Sequence, residues 1–302
     1  MGPALLLIRS WLYVAPGNHS ELAAAARSKA DALILDLEDL TAPSEKHSAQ
    51  LAAAEFIDAR VGASRPLVFG RINSPSGGMT NDDLEALVRP GLDGLRLPKV
   101  ESAPEVQAVD RLVGELERRR GLPASSIQLV PIIESAAGVA NVFEIARSSP
   151  RITLLGFGVT DFLADIDGTE AEDGAATLYA RSQLVIASRC ADLAPPCDGV
   201  YLDAANPEGL RRSTQASRQL GFFGRTSIDA RQVDEINALL TPTPDQVLRA
   251  RRMVAEVERA EAAGIGSLLL SDGSFANVAV ARRARRVLQL ARSFGVVDEG
   301  MA

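Results

Sequence analysis

Several apolar runs in this 302-residue chain end on charged side chains, and those ends are where chemistry is expected. One run closes on Asp36-Leu37-Glu38-Asp39, another on Arg71-Ile72-Asn73, and two more on Lys99 and Glu134. A glycine-flanked segment leads to Asp161. The set is acidic, with one arginine and one lysine among the acids. It holds no serine, cysteine or histidine arranged as a nucleophilic triad. The two histidines, His19 and His47, fall in helical segments. Without histidine or thiolate at the run ends, a zinc site is not expected. Carboxylates alone favour a hard cation, and Mg²⁺ binds through one or two carboxylates while waters and substrate oxygens fill its other positions. Glu134 and Asp161 are the candidate ligands.

Each of these residues also has a plainer role open to it. Glu134 could be a first-turn acid favoured by a helix dipole, Asp161 a helix N-cap, and Arg71 a structural partner for Glu38. Convergence of all three on one rim would favour function, because unpaired charge there is expensive. Lys99 offers different chemistry. A desolvated lysine forms a Schiff base with a carbonyl substrate, although Pro98 before it and Glu101 after it favour a lysine paired to Glu101 or another acid.

The elements that must position these residues are legible as a repeat. Eight short apolar runs recur: Trp11–Val14, Ala32–Leu37, Leu67–Ile72, Gly94–Lys99, Gln128–Ile133, Ile152–Phe157, Gly199–Leu202 and Arg225–Ile228. Between them lie segments with apolar residues at helical spacing, such as Ser20–Ser28, Asp82–Val88, Pro104–Arg119, Gly138–Ala146, Ala175–Ala191 and Asn206–Leu220. Buried strands alternating with amphipathic helices specify βαβ units and a parallel sheet. Eight such units predict a (β/α)₈ TIM barrel, in which catalytic groups sit at the C-terminal strand ends. An open doubly wound sheet would carry a glycine-rich phosphate loop after its first strand; here Pro16-Gly17-Asn18 follows instead. Residues 1–240 are therefore expected to form the barrel. Residues 241–302 are expected to add a C-terminal helical extension, with helices at Pro244–Ala263 and Val278–Ser293 and a turn with Leu268–Leu270 between them. The five arginines of the last helix are expected on a solvated face.

Composition narrows the function further. A formal charge of −7 with scattered arginines argues against nucleic acid. No apolar run approaches the roughly 18 residues needed to span a bilayer, and Ala4 to Ile8 is too short for a signal peptide and lacks a basic region before it. Cys190 and Cys197 form no metal-ligand spacing, so a reduced cytoplasm is the expected location.

The local sequences resemble a known family. Arg9-Ser10-Trp11-Leu12-Tyr13-Val14-Ala15-Pro16-Gly17-Asn18 and Ala30-Asp31-Ala32-Leu33-Ile34-Leu35-Asp36-Leu37-Glu38-Asp39 are similar to the opening of citrate lyase β-subunit-like proteins of the HpcH/HpaI aldolase/citrate lyase superfamily. The resemblance continues through Arg71-Ile72-Asn73-Ser74-Pro75, Leu97-Pro98-Lys99-Val100-Glu101, Ile133-Glu134-Ser135-Ala136-Ala137-Gly138 and Gly156-Phe157-Gly158-Val159-Thr160-Asp161. It implies a Mg²⁺-dependent carbon–carbon lyase acting on a β-hydroxyacyl thioester such as citryl-, malyl- or citramalyl-CoA, or the equivalent on an acyl carrier, to give an acyl thioester and an oxo acid. It also implies that Glu134 and Asp161 hold the metal and that Arg71 holds the reacting oxygen. Asp36 and Glu38 then support Arg71 or metal waters, and Asn73 and Lys99 lie where substrate binds. A homo-oligomer, most simply a trimer, is expected. Two alternatives stand beside this: an aldolase on free hydroxy-oxo acids without CoA, and a non-catalytic ligand-binding paralogue or lyase-complex subunit.

The chain departs from the family pattern toward its C-terminus. Relatives read Gly-Lys-x-x-Ile-His-Pro-x-Gln where this chain has Gly224-Arg225-Thr226-Ser227-Ile228-Asp229-Ala230-Arg231-Gln232. A lid motif ending in an acid–base aspartate corresponds to Asp272-Gly273-Ser274-Phe275-Ala276-Asn277, so an asparagine stands at the position of that acid. The turn at Pro16-Gly17-Asn18-His19 also lacks the basic residue that often follows it in relatives.

Overall fold

A computed structural model describes residues 7–62, 65–169, 174–269, 273 and 275–296. Two compact units divide the chain, Met1–Asn237 and Ala238–Ala302.

In the first unit seven parallel strands are described: β1 (Ser10–Val14), β2 (Ala32–Asp36), β3 (Leu67–Arg71), β4 (Gly94–Leu97), β5 (Gln128–Ile133), β6 (Gly156–Phe157) and β7 (Arg225–Ser227). They lie in the order β6-β5-β4-β3-β2-β1-β7. Single-residue bridges then close the ring, because Cys197 pairs with Gly156 of β6 and Asp198 pairs with Arg225 of β7. The fold is thus the expected α/β TIM barrel, with two corrections. Gly199–Leu202 is not a strand; the eighth position is taken by Cys197-Asp198, just before it. The sixth run is also shorter than expected, with Ile152 contributing one bridge to Leu129 before β6 begins at Gly156.

Helices cover the strands: α1 (His19–Ala26), α2 (Lys46–Asp58), α3 (Thr80–Leu87), α4 (Ala103–Arg120), the short α5 (Ala136–Ala140) and α6 (Val142–Ile145), α7 (Val159–Asp165), α8 (Ala175–Cys190), α9 (Pro207–Leu220) and α10 (Val233–Leu240). Strand side chains alternate between two environments. Leu12, Val14, Leu33, Leu35, Val68, Leu95, Leu97 and Leu129 pack outward with the helices. Trp11, Tyr13, Ala32, Ile34, Phe69, Val130 and Ile132 fill the barrel interior. That alternation decides what reaches the top of the barrel. Two residues beyond Ile34 is Asp36, two beyond Phe69 is Arg71, and two beyond Ile132 is Glu134.

The second unit contains α11 (Pro244–Ala262), a β8–β9 antiparallel hairpin (Ser267–Leu269 with Phe275–Asn277) and α12 (Val278–Ser293). Val257, Ala276 and Ala281 form its small core. Asn277 caps α12, its Oδ1 accepting from Val280 N–H at 3.0 Å. An aspartate there could make the same cap, so the cap does not depend on the asparagine. Leu270, Asp272 and Ser274, named in the sequence patterns above, lie outside the described residues, as do Ala4 to Leu6. No described helix is long and apolar enough to cross a membrane.

Candidate active site

Arg71, Glu134 and Asp161 line one cavity of about 200 Å³ in the first unit. Their convergence is what the plainer readings could not explain. Asp161 is not an N-cap: Gly158 holds that place in α7, and Asp161 sits inside the first turn. Arg71 does pair with Glu38, but it is held by more than that. Its Nε and Nη2 donate to the two oxygens of Asp36 at 2.7 and 2.5 Å, and Nη1 donates to Asp39 at 3.0 Å. Glu38 Oε2 lies 2.9 Å from the same Nη1, and the Tyr13 ring stacks 4.7 Å from the guanidinium carbon. Of the five guanidinium N–H groups, the hydrogen bonds to Asp36 and Asp39 occupy three. Donor capacity therefore remains on a rigidly aimed cation.

The supports behind Arg71 are themselves fixed. Asp36 is fully buried and accepts from the backbone N–H groups of Glu38 and Leu40 at 2.9 and 3.0 Å. Lys46 donates to the carbonyls of Leu37 and Glu38 at 2.6 and 2.7 Å, closing the loop over α2. Asp36 and Glu38 do not line the cavity; they act on it through Arg71.

Glu134 is 5% exposed, and its Oε1 accepts from the Lys99 backbone N–H at 2.7 Å. Burial, followed by the neighbouring charge of Asp161, pushes its carboxyl up to about 8, against the pull of that N–H. Two carboxylates sharing a low-dielectric cavity is the electrostatic condition a bound cation relieves. Among the described residues no three Asp, Glu, His or Cys side chains gather as a metal cage. Glu134 and Asp161 could serve a hard cation whose other positions are filled by water and substrate oxygens. That suits Mg²⁺, which dehydrates reluctantly.

Lys99 is placed differently from the substrate-binding expectation. Its side chain is 45% exposed, is absent from the cavity lining, and pairs with Glu38 Oε1 at 2.9 Å rather than with Glu101. That hydrogen bond raises the lysine's pKa, so the amine stays protonated and unsuited to Schiff-base attack. Its contribution is its backbone N–H, presented to Glu134 from a left-handed residue with φ of 53°. Asn73 is likewise outside the cavity lining. Its backbone N–H and side-chain amide both donate to Asp83 Oδ2, at 2.7 and 2.8 Å, tying the end of β3 to α3. Asp229 is bound by Arg231 and caps a 3₁₀ turn.

Among the lining residues that sequence reasoning did not single out are Tyr13, Arg96 and Gly158. Gly158 has a specific reason to be glycine. A Cβ there would collide with the Glu134 carboxylate and come within 2.6 Å of its Cβ. The backbone at Gly158, with φ of −99°, is open to any residue, so the constraint is space alone. Gly158→Ala should therefore displace Glu134, at a cost in stability of about 1–3 kcal/mol from overpacking. Mg²⁺ activation should weaken by about 10–100-fold, the range seen when groups supporting a ligand are lost. Activity titrated against Mg²⁺ concentration checks this, and an unchanged activation constant would show that Glu134 needs no such space.

A family model described as HpcH/HpaI aldolase/citrate lyase matches residues 9–230. The chain is 33% identical over 292 residues to citrate lyase subunit beta of Leuconostoc mesenteroides subsp. cremoris, covering 97% of this chain and 96% of that one. It is 33% identical over 286 residues to an L-malyl-CoA/beta-methylmalyl-CoA lyase of Cereibacter sphaeroides, covering 88% and 89%. Among solved structures, CitE from Mycobacterium tuberculosis in complex with magnesium, acetoacetate and coenzyme A superposes with a TM-score of 0.76 at 25% identity, covering 96% of this chain and 100% of that one.

Proposed function

This chain belongs to the HpcH/HpaI aldolase/citrate lyase family and is a carbon–carbon lyase, and we propose that it uses Mg²⁺ to cleave or form a 3-hydroxyacyl-CoA-type thioester, exchanging it with an acyl thioester and an oxo acid. The observation that carries the reading is the meeting of Glu134, Asp161 and Arg71 on one cavity, two carboxylates and a fixed guanidinium. Relatives named for citrate, malyl-CoA and methylmalyl-CoA cleavage support the thioester class. A relative structure solved with magnesium supports the metal.

Glu134 and Asp161 would hold the ion, which when bound supplies Lewis-acid polarisation of the substrate's hydroxyl and carboxylate oxygens. Arg71 donates toward the thioester oxygen, where negative charge grows as the carbon–carbon bond breaks and an enolate forms. Such a preorganised donor contributes about 3–4 kcal/mol to transition-state stabilisation. Asp36, Glu38 and Asp39 hold the guanidinium so that it need not reorganise during the reaction. Lys99 fixes Glu134 through its backbone N–H and steadies Glu38 through its amine.

The test is oxo-acid release from citryl-, malyl- and citramalyl-CoA with and without Mg²⁺. The expected result is turnover of at least one thioester that falls by 100-fold or more in chelator. No turnover of any of them would overturn the thioester reading, and retained turnover of free hydroxy-oxo acids would replace it with a CoA-independent aldolase.

The raised Glu134 carboxyl also makes stability pH-dependent. Its folded pKa of about 8 lies above its unfolded value of about 4.5, so the folded state binds more protons between those limits and stability falls as pH rises through that window. Metal-free protein should therefore lose several degrees of Tm from this group between pH 5 and 8. Glu134→Gln, which carries no charge, should lack that component. Mg²⁺ should restore Tm most at the alkaline end, where the carboxylate is ionised. Melting curves in chelator and in Mg²⁺ across this range check it; equal slopes in wild type and variant would contradict it.

A further inference from the structure

Arg71 and Arg96 are cross-strand partners in the β3–β4 register, and both line the cavity, but their charges are met in opposite ways. Arg71 is surrounded by Asp36, Glu38 and Asp39. Arg96 is 1% exposed, its Nε and Nη1 have no hydrogen-bond partner, the buried Cys197 thiol is its polar neighbour, and no carboxylate among the described residues pairs with it. It lies over the rings of Trp11 at 5.1 Å and Tyr13 at 5.9 Å. Gly156 makes room for it, since a Cβ there would come within 2.9 Å of Nη2.

The aromatic faces offset part of the cost. A desolvated cation–π contact is worth about 2 kcal/mol, whereas taking an unpaired cation out of water costs several kcal/mol even after relaxation. An apolar side chain would fill the same interior without that cost. A guanidinium retained at the wall of a cavity, with no carboxylate on its planar donors, is matched to a planar anion such as a carboxylate. The cavity's size limits that anion's carrier. At about 200 Å³ it lies below the roughly 300–1,000 Å³ of pockets that enclose a drug-sized ligand, so a small acid fits and a thioester tail must lie outside.

We propose that Arg96 is a specificity-determining residue that takes a second carboxylate, selecting a dicarboxylic 2-oxo acid over a monocarboxylic one as the acid fragment of the reaction. The assignment rests on the lyase reading for its place in a reaction, while its binding chemistry stands on the cavity alone. Arg71 has its charge met by three acids and its remaining donor assigned to the thioester oxygen, and Glu134 and Asp161 repel an anion unless a cation intervenes. Arg96 is the cation of this wall whose charge no carboxylate among the described residues answers.

The experiment is calorimetric binding of freshly dissolved oxaloacetate and of pyruvate, each with Mg²⁺, to wild type, Arg96→Met and Arg96→Lys. Wild type should bind the diacid at least tenfold more tightly. R96M should bring the two affinities within about twofold of each other with pyruvate little changed, and R96K should recover part of the preference. No diacid preference in wild type overturns the proposal without reference to any variant. So does a preference that survives in R96M, or an equal weakening of both acids there, which marks a structural role. Turnover assays on the same preparations separate the two readings. A wild type that cleaves thioesters yet shows no Arg96-dependent preference sinks this inference alone; one that shows the preference but cleaves no thioester sinks the lyase substrate class alone.

Discussion

Glu134→Gln is expected to lower kcat/KM for the thioester by about 10³-fold and to abolish its dependence on Mg²⁺. A thousandfold loss corresponds to about 4 kcal/mol of transition-state stabilisation, the order of the Lewis-acid contribution it removes. The amide keeps the shape that fits beside Gly158 and the oxygen that accepts from Lys99 N–H. What it loses is the charge proposed to bind a cation. Because the wild-type carboxylate is buried beside Asp161, its neutral replacement should also raise the Tm of metal-free protein at pH 8, so lost activity with gained stability is the signature. Steady-state kinetics across Mg²⁺ concentrations, beside melting curves, measure both. Near-normal, Mg²⁺-dependent turnover in the variant would place the metal elsewhere.

Arg71 gives the second large effect, split between chemistry and stability. Arg71→Lys retains a charge but loses the planar fork that engages both oxygens of Asp36. Its kcat should fall by about 10²–10³, as when one preorganised donor is lost, with a smaller change in KM. Arg71→Met leaves Asp36 and Glu38 buried without their cation. Breaking a buried pair in this way costs about 3–5 kcal/mol, so this variant should melt several degrees lower or fail to accumulate. Kinetics of the lysine variant and denaturant unfolding of both separate the two effects. A lysine variant with unchanged kcat would make Arg71 a purely structural residue.

Much of this site was legible because a strand's side chains alternate. Ile34 and Asp36 share an inner face, as do Phe69 and Arg71, and Ile132 and Glu134. Charged residues closing apolar runs therefore had to meet at one end of the barrel. The same rule explains what was misplaced. Asn73 lies two residues beyond Arg71, but β3 has already ended, and its amide turns to Asp83. Arg96 was hidden because it stands within an apolar run, although it keeps the parity of Gly94 and so points inward. Gly199–Leu202 offered an apolar run, whereas the eighth ring position is two residues long and includes Asp198, whose buried charge is held by Arg181 at 2.8 Å. Two residues carry no periodicity. Gly158 has its meaning only from where Glu134 lies in space, which no spacing along the chain reveals.

The central claim, that Glu134 and Asp161 together hold the catalytic cation, is tested most directly by anomalous diffraction from crystals soaked with Mn²⁺ in place of Mg²⁺, with oxalate as a stand-in for the oxo acid. The account predicts one strong anomalous peak within about 2.0–2.3 Å of a carboxylate oxygen from each residue, close to the distances of Mg²⁺ coordination, with oxalate completing the coordination. A peak bound by other residues, or none beside Glu134 in crystals that hold oxalate, would contradict it.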